Sequence, residues 1–285
     1  MLKRRTTGSV VCPSCGSLVG VRDDKCYTCG RANPGLWGFG PALRQLGADF
    51  GFAPMVIGAS AVVYALTLLA SGSELRVAGG MMSFLMPSNK ALQLFGESGA
   101  YPVFVFGWWW TLLTAGWLHA NFLHILFNMM WVRDLGTAMV DLIGAPRTII
   151  IYVVSGVCGF LLSSAMPFVP LPIPFFHGAG YTVGASASVL GLLGALLHYG
   201  RKSGSHLIHS QALNWVVILF VMGIIMPGVD NTAHAGGFLG GYAMSAFFNP
   251  LKREKGDHLL IALGLLAATF AAMTYSVVHG FQLMR

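Results

Sequence analysis

The sequence predicts an all-α, multi-spanning membrane protein, seven helices crossing the bilayer behind a short cysteine-rich segment. Three observations carry that prediction. Of 285 residues, 55% are apolar and only 9% charged, against about a quarter charged in soluble chains, so a water-facing surface could not be covered. The charges cluster, and the uncharged intervals between them reach the ~20 residues that a helix needs to cross a hydrocarbon core. The Lys and Arg residues fall overwhelmingly in alternate gaps, the signature of membrane orientation rather than of a soluble basic protein.

The first element, residues 1–48, holds Cys12-Pro-Ser-Cys15 and Cys26-Tyr-Thr-Cys29, two CxxC knuckles each followed by glycine (Gly16, Gly30). Four thiolates presented by two tight turns can close a tetrahedral site around Zn²⁺. With four protein ligands no coordination position stays open, so the metal expected here is structural. Two disulfides are the alternative reading, disfavoured in the reducing cytoplasm. Lys3-Arg4-Arg5 precedes polar residues and cysteines rather than an apolar stretch, so no cleavable signal peptide is expected.

Seven spans follow. The first is Phe50–Ser73, and the second lies in the uncharged interval Ser98–Val132. The uncharged stretch Thr148–Gly200 is too long for one helix and is divided by Pro167, Pro170, Pro172 and Pro174, giving two spans. Ser203–Val229, Asn231–Leu251 and His258–Met284 complete the set. The segment from Glu74 to about Ala120, with Trp108, Trp109, Trp110 and Trp117, reads as an outer loop lying partly in the headgroup layer. The expected division is a ribbon-like segment and linker at 1–48, a six-helix core at 49–251 and an extra C-terminal helix at 252–285.

With the N-terminus in the cytoplasm, the inner segments hold fourteen of the 17 basic residues and the outer side only Arg76, Lys90 and Arg285. Nucleic-acid binding is not expected, because no contiguous basic stripe is left to track a phosphate backbone.

Polar residues inside spans are costly and mark functional candidates. Three groups stand out: Gly184-Ala-Ser186-Ala-Ser188 opening the fourth span, His234-Ala-Gly236-Gly237 in the sixth, and His119, His124 and Asn128 around the start of the second. The fourth and sixth spans enter from the same side, placing Ser186 about 8 Å below Tyr181 and His234 about 5 Å below Asn231 at helical rise. Gly194, Gly237 and Gly241 allow the two helices to approach closely. A serine beside a neutral imidazole is an activated nucleophile. Asp230 falls at the water boundary, so a Ser186–His234 dyad is expected rather than a triad. His124 and Asn128, one turn apart, could donate to the oxyanion of a tetrahedral intermediate together with the Ser186 N–H. Ser188 faces another side of its helix and reads as structural. Cys158 reads as a small buried apolar residue, and His198, His206, His209 and His258 as boundary residues near the cytoplasmic ends. A transporter is disfavoured by the lack of an intramembrane chain of acids.

Gly184-Ala-Ser186-Ala, His234-Ala-Gly-Gly237-Phe-Leu-Gly-Gly241 and His119-Ala-Asn-Phe-Leu-His124-Ile-Leu-Phe-Asn128 resemble the signature segments of rhomboid intramembrane serine proteases, as does Tyr152-Val-Val-Ser-Gly156. The resemblance implies a six-helix core with a cavity open to the outer side. By position Ser186 would be nucleophile, His234 base, His124 and Asn128 oxyanion donors and His119 structural. It further implies cleavage of transmembrane or juxtamembrane segments of membrane proteins without a catalytic cofactor, in a bacterial inner membrane. The ribbon's partner would be cytoplasmic. The alternative is a catalytically silent relative that holds clients for quality control. Two departures stand out: the family's Trp-Arg-Leu-Leu-Thr reads Trp110-Thr111-Leu112-Leu113-Thr114, and Ala187 replaces the commoner glycine after the nucleophile.

Overall fold

The computed structural model describes residues 4–13, 15–41, 51–77, 80, 83–170, 173–252, 254 and 256–283. The linker expected to end at residue 48, the first span's start at Phe50, the last span's end at Met284, and Pro172, Lys3, Arg44, Arg253, Lys255 and Arg285 lie outside them.

The N-terminal unit is a hairpin of β1 (Ser9–Val11) and β2 (Leu18–Gly20), antiparallel with Val10 opposite Val19. Both knuckles close the same way. Gly16 N–H donates to Cys12 C=O and Gly30 N–H to Cys26 C=O, each at a positive φ (78° and 72°) that glycine adopts without strain. Val10, Val19 and Val21 pack with Cys12 and Cys26 into a miniature core.

The rest is helical. The long helices are α1 (Phe52–Ser71), α4 (Phe122–Ile143), α5 (Ala145–Ala165), α6 (Ser186–Ser203), α7 (His206–Ile225), α8 (Asn231–Phe248) and α9 (Gly256–Leu283). Two short ones, α2 (Asn89–Leu94) and α3 (Thr111–Thr114), lie within the long connection after α1, loop 1. The expected number of long helices is thus present among the described residues. Among the described residues, four stretches are long and apolar enough to cross a membrane on composition alone: Phe52–Glu74, Ala145–Phe168, His206–Ile225 and Asp257–Gln282. The three that fall short, α4, α6 and α8, carry the polar candidates.

Two boundaries differ from expectation. Helix α4 runs eleven residues beyond Val132, through Arg133, Asp134 and Asp141, because charges on an exposed helix end do not break backbone hydrogen bonding. Helix α6 begins at Ser186, not Tyr181. Residues before it are held extended by a backbone bridge between Ser98 and Thr182 and by a turn at Gly184 (φ 127°), so the depth of Ser186 is set by that bridge rather than by helical rise.

Helix α1 shows how the bundle meets lipid. Phe52, Val56, Ser60, Tyr64, Thr67 and Ser71 form a buried stripe at helical spacing, while Val62, Leu66 and Leu69 on the other faces are exposed and apolar. In the core, α6 packs most closely against α8, and α8 against α5. Glycines make this possible: a Cβ on Gly237 would strike the Ala187 backbone, one on Gly241 the Gly191 backbone, and one on Gly159 the Ala187 Cβ at 2.7 Å. Without a hydrophobic drive between helices in lipid, such close backbone contact is what holds them.

Candidate functional site

Ser186 is the first residue of α6, half-buried, and its N–H belongs to the helix-start groups that have no intrahelical partner. The helix therefore turns its positive end toward this side chain. His234 lies in the first turn of α8 and is 6% exposed. The two first turns meet: the Ala187 backbone abuts Gly237, one turn beyond His234, and both Ala187 Cβ and the Ala233 carbonyl border Gly159. Among the described residues neither Ser186 Oγ nor a ring nitrogen of His234 makes a hydrogen bond, and His234 Nδ1 is buried without a partner. The His234 ring stands edge-on to Phe220 of α7, centroids 6.2 Å apart.

Among the described residues the Asp230 carboxylate makes no hydrogen bond to the His234 ring. One carboxylate oxygen accepts from Ala233 N–H at 2.9 Å, capping α8, and the other accepts from Ser163 Oγ at 2.5 Å. Thr232 Oγ1 accepts from Gly178 N–H at 2.9 Å. The end of α5, the start of α8 and the chain leading to Ser186 are thereby tied together.

At α4, Asn121 caps the helix by accepting from His124 N–H at 2.8 Å. His124 Nδ1 accepts from Ala120 N–H at 3.3 Å, which assigns the proton to Nε2. That Nε2 faces the Gly184 turn: a Cβ there would lie 2.5 Å from it. Asn128 donates one amide hydrogen to the His124 carbonyl at 2.8 Å and has a second left. His119 is fully buried, edge-to-face with His124 at 5.2 Å. Ser188, 2% exposed, points at Gly156 of α5 instead.

The four cysteine sulfurs lie within 4.8 Å of one another, with Cys12–Cys29 at 3.8 Å and Cys15–Cys26 at 3.5 Å. A tetrahedron of sulfurs about 2.3 Å from a zinc ion has edges of about 3.8 Å, so this donor set fits a metal and its spacings are far from a disulfide bond.

One polar cluster escaped sequence reasoning. Arg147, 1% exposed at the start of α5, donates from Nε to His258 Nδ1 (3.1 Å) and from Nη1 to the Lys252 carbonyl (2.7 Å), while its own N–H donates to Glu254 (2.9 Å). This makes His258 a partner in a buried network rather than a boundary residue; likewise His198 bonds Ser245 Oγ at 2.9 Å. A cavity of about 420 Å³ beside Arg147 and Glu254 lies at the far end of α5 from Ser186.

A family model described as the Rhomboid domain matches residues 107–251, just over half of the chain. The chain is 31% identical over 175 residues to the Rhomboid protease GluP of Bacillus subtilis, covering 60% of this chain and 32% of that protein. It is 36% identical over 150 residues to RHOMBOID-like protein 7 of Arabidopsis thaliana (47% and 41% covered). It is 29% identical over 153 residues to the Putative rhomboid protease YdcA of Bacillus subtilis (52% and 71%). The chain thus spans about a third to two fifths of the first two relatives' length.

Proposed function

The chain belongs to the rhomboid family, and from that premise we propose that it is an intramembrane serine endopeptidase working through a Ser186–His234 dyad. The observation that carries the reading is the meeting, at a glycine seam, of the two helix first turns that bear Ser186 and His234, with the Ala187 backbone against Gly237 and the His234 ring buried. In this mechanism Ser186 Oγ attacks the scissile carbonyl carbon as His234 takes the hydroxyl proton; catalytic hydrogen bonds of this kind commonly tighten only when substrate binds. The resulting oxyanion is met by the Ser186 N–H at the α6 terminus, by His124 Nε2–H and by the spare amide hydrogen of Asn128. Collapse expels the amine, which takes the proton from His234, and water then hydrolyses the acyl-serine with the same base. Asp230, with both oxygens engaged elsewhere, holds α8 rather than completing a triad.

The substrates are transmembrane or juxtamembrane segments of other membrane proteins. The distribution of basic residues supports a cytoplasmic N-terminus and a site opening to the outer side, and we place the protein so in a bacterial inner membrane. The division at 1–48, 49–251 and 252–285 suits this reading, and the ribbon, paired to the start of α9 through Arg31 and Asp257 (3.4 Å), would meet a cytoplasmic partner. Cys12, Cys15, Cys26 and Cys29 hold one structural Zn²⁺, remote from the chemistry. Elemental analysis should find one zinc per chain; four freely titrating thiols with no zinc would contradict it.

The test of the function is cleavage of a model transmembrane substrate. Ser186→Ala should abolish it, Ser188→Ala should retain it, and Asn128→Ala should lower turnover about 100- to 1,000-fold, the usual cost of one oxyanion donor. Equal turnover by Ser186→Ala and the parent would remove Ser186 as the nucleophile, and a folded parent that cleaves nothing would return the protein to the silent, client-holding class.

A further inference from the structure

We propose that the outer half of α9, the helix beyond the six-helix core, is a brace that positions loop 1, with Tyr275 and His279 as its positioning residues. The proposal rests on the catalytic reading above only in its activity arm.

Loop 1 pairs with the chain that leads into Ser186. Ser98 and Thr182 exchange both backbone hydrogen bonds (3.2 and 2.8 Å), Ala100 N–H donates to the Ala179 carbonyl (2.9 Å), Tyr101 N–H to Gly180 (3.2 Å), and Gly184 N–H to Ala115 (3.0 Å). The extended chain before α6 and the turn at Gly184 are therefore placed by loop 1, in the manner of a strand placed by its neighbour. A displacement of loop 1 would carry the Ser186 end of α6 out of line with His234 and His124, and small misplacements of reacting groups are costly.

Loop 1 is in turn held by α9. Trp110 stands edge-on to Tyr275 with centroids 4.7 Å apart and to His279 at 5.4 Å; Trp108 meets His279 at 5.7 Å; Tyr275 and His279, one turn apart, are stacked within 7° of parallel. Alongside them, Met273 and Val277 join the Leu92, Leu94, Phe95 and Leu118 cluster, Ser276 Oγ borders Gly96, and Gly280 leaves room for Leu94. Positions 273, 276, 277 and 280 recur at i, i+3, i+4 and i+7, a single helix face. That face is directed at loop 1, not at lipid. At its other end α9 is fixed to the core, since its His258 accepts from Arg147. A helix anchored at one end and packed on a loop at the other fits a strut. Thr111 next to Trp110 reaches the Trp108 carbonyl (2.7 Å) and Ser98 Oγ (3.4 Å), both within the loop itself.

The test uses the full chain in detergent micelles and two readouts. In the Tyr275→Ala/His279→Ala double variant, amide hydrogen exchange should quicken at least tenfold in peptides covering residues 96–118 and 179–184, with α1 and α7 unchanged. Tyr275→Phe, which keeps the ring, should exchange like the parent. Turnover of a model transmembrane substrate should fall at least tenfold in the double variant with KM nearly unchanged, and recover in Tyr275→Phe. Should the double variant not accumulate folded, His279→Ala alone is read the same way. Unchanged exchange in both loop segments, or equal acceleration in every helix, would overturn the brace. A parent without any cleavage would defeat the protease reading, while the exchange result would still decide the brace.

Discussion

Helices α7 and α8 are neighbours of 20 and 18 residues that meet the membrane in opposite ways. In α7 only Ala212, Val216 and Gly223 are buried, and Leu213, Val217, Ile218, Val221, Ile224 and Ile225 face outward. In α8 the buried residues are Asn231, Thr232, Ala233, His234, Gly236, Gly237, Gly241 and Ser245. By length and composition α7 is apolar enough to cross a membrane and α8 is not. The difference teaches where chemistry can sit in a bilayer protein. Lipid tails are as apolar as leucine, so large apolar side chains gain nothing by turning inward, and the interior is left to small residues that let backbones touch and to polar groups that satisfy one another. The helices that look least like membrane spans are the ones that carry the candidate site residues.

The strongest way to break this comparison is to give the two helices the wrong residues. Gly237→Val puts a side chain onto the Ala187 backbone, where no flexible atom can give way. Folded protein should be lost or its melting temperature should drop by far the most of any variant considered. Ile218→Ala on the outward face of α7 should shift stability by only about 0.5 kcal/mol. Melting curves in one detergent decide it, and similar shifts for the two variants would contradict the division of labour.

A smaller effect sharpens the comparison by adding a charge. Glu97 of loop 1 is 9% exposed, and burial pushes its carboxyl up to about 7 from an ordinary 4.5. The folded state therefore binds the proton more tightly than the unfolded state between those values, and stability falls as pH rises through that window. Above about pH 7 the full cost is present, about 3 kcal/mol at ~1.4 kcal/mol per unit. Glu97→Gln should be more stable than the parent at pH 8 and equal to it near pH 4, read by thermal melting at both values. A difference that does not change with pH would remove burial as the cause.

Much of this was legible in the sequence, and most of the failures share one cause, the end of α4 excepted. The long helices followed from charge-free intervals, because lipid forbids unpaired charge along a span. The knuckles at Cys12–Cys15 and Cys26–Cys29 were legible because the spacing is local and each turn ends at a glycine. Ser186, His234, His124 and Asn128 stood out as polar residues among apolar ones, and the structure sets them at the same end of the bundle. The start of α6 was misjudged because Ser98 and Thr182, 84 positions apart, set it through a backbone bridge that leaves no mark on either segment. Arg147 with His258, and Trp110 with Tyr275, were invisible for the same reason: each half reads as an ordinary boundary, loop or span residue until the fold brings them together.

The central claim, that Ser186 is an activated nucleophile, is tested most directly by labelling purified protein with a fluorophosphonate probe, which needs no knowledge of the substrate. The parent should incorporate one label per chain on a peptide containing Ser186. Ser186→Ala should incorporate none, and His234→Ala should label far more slowly while remaining folded. Failure of the folded parent to label, or labelling of Ser186→Ala to the same extent, would contradict the dyad.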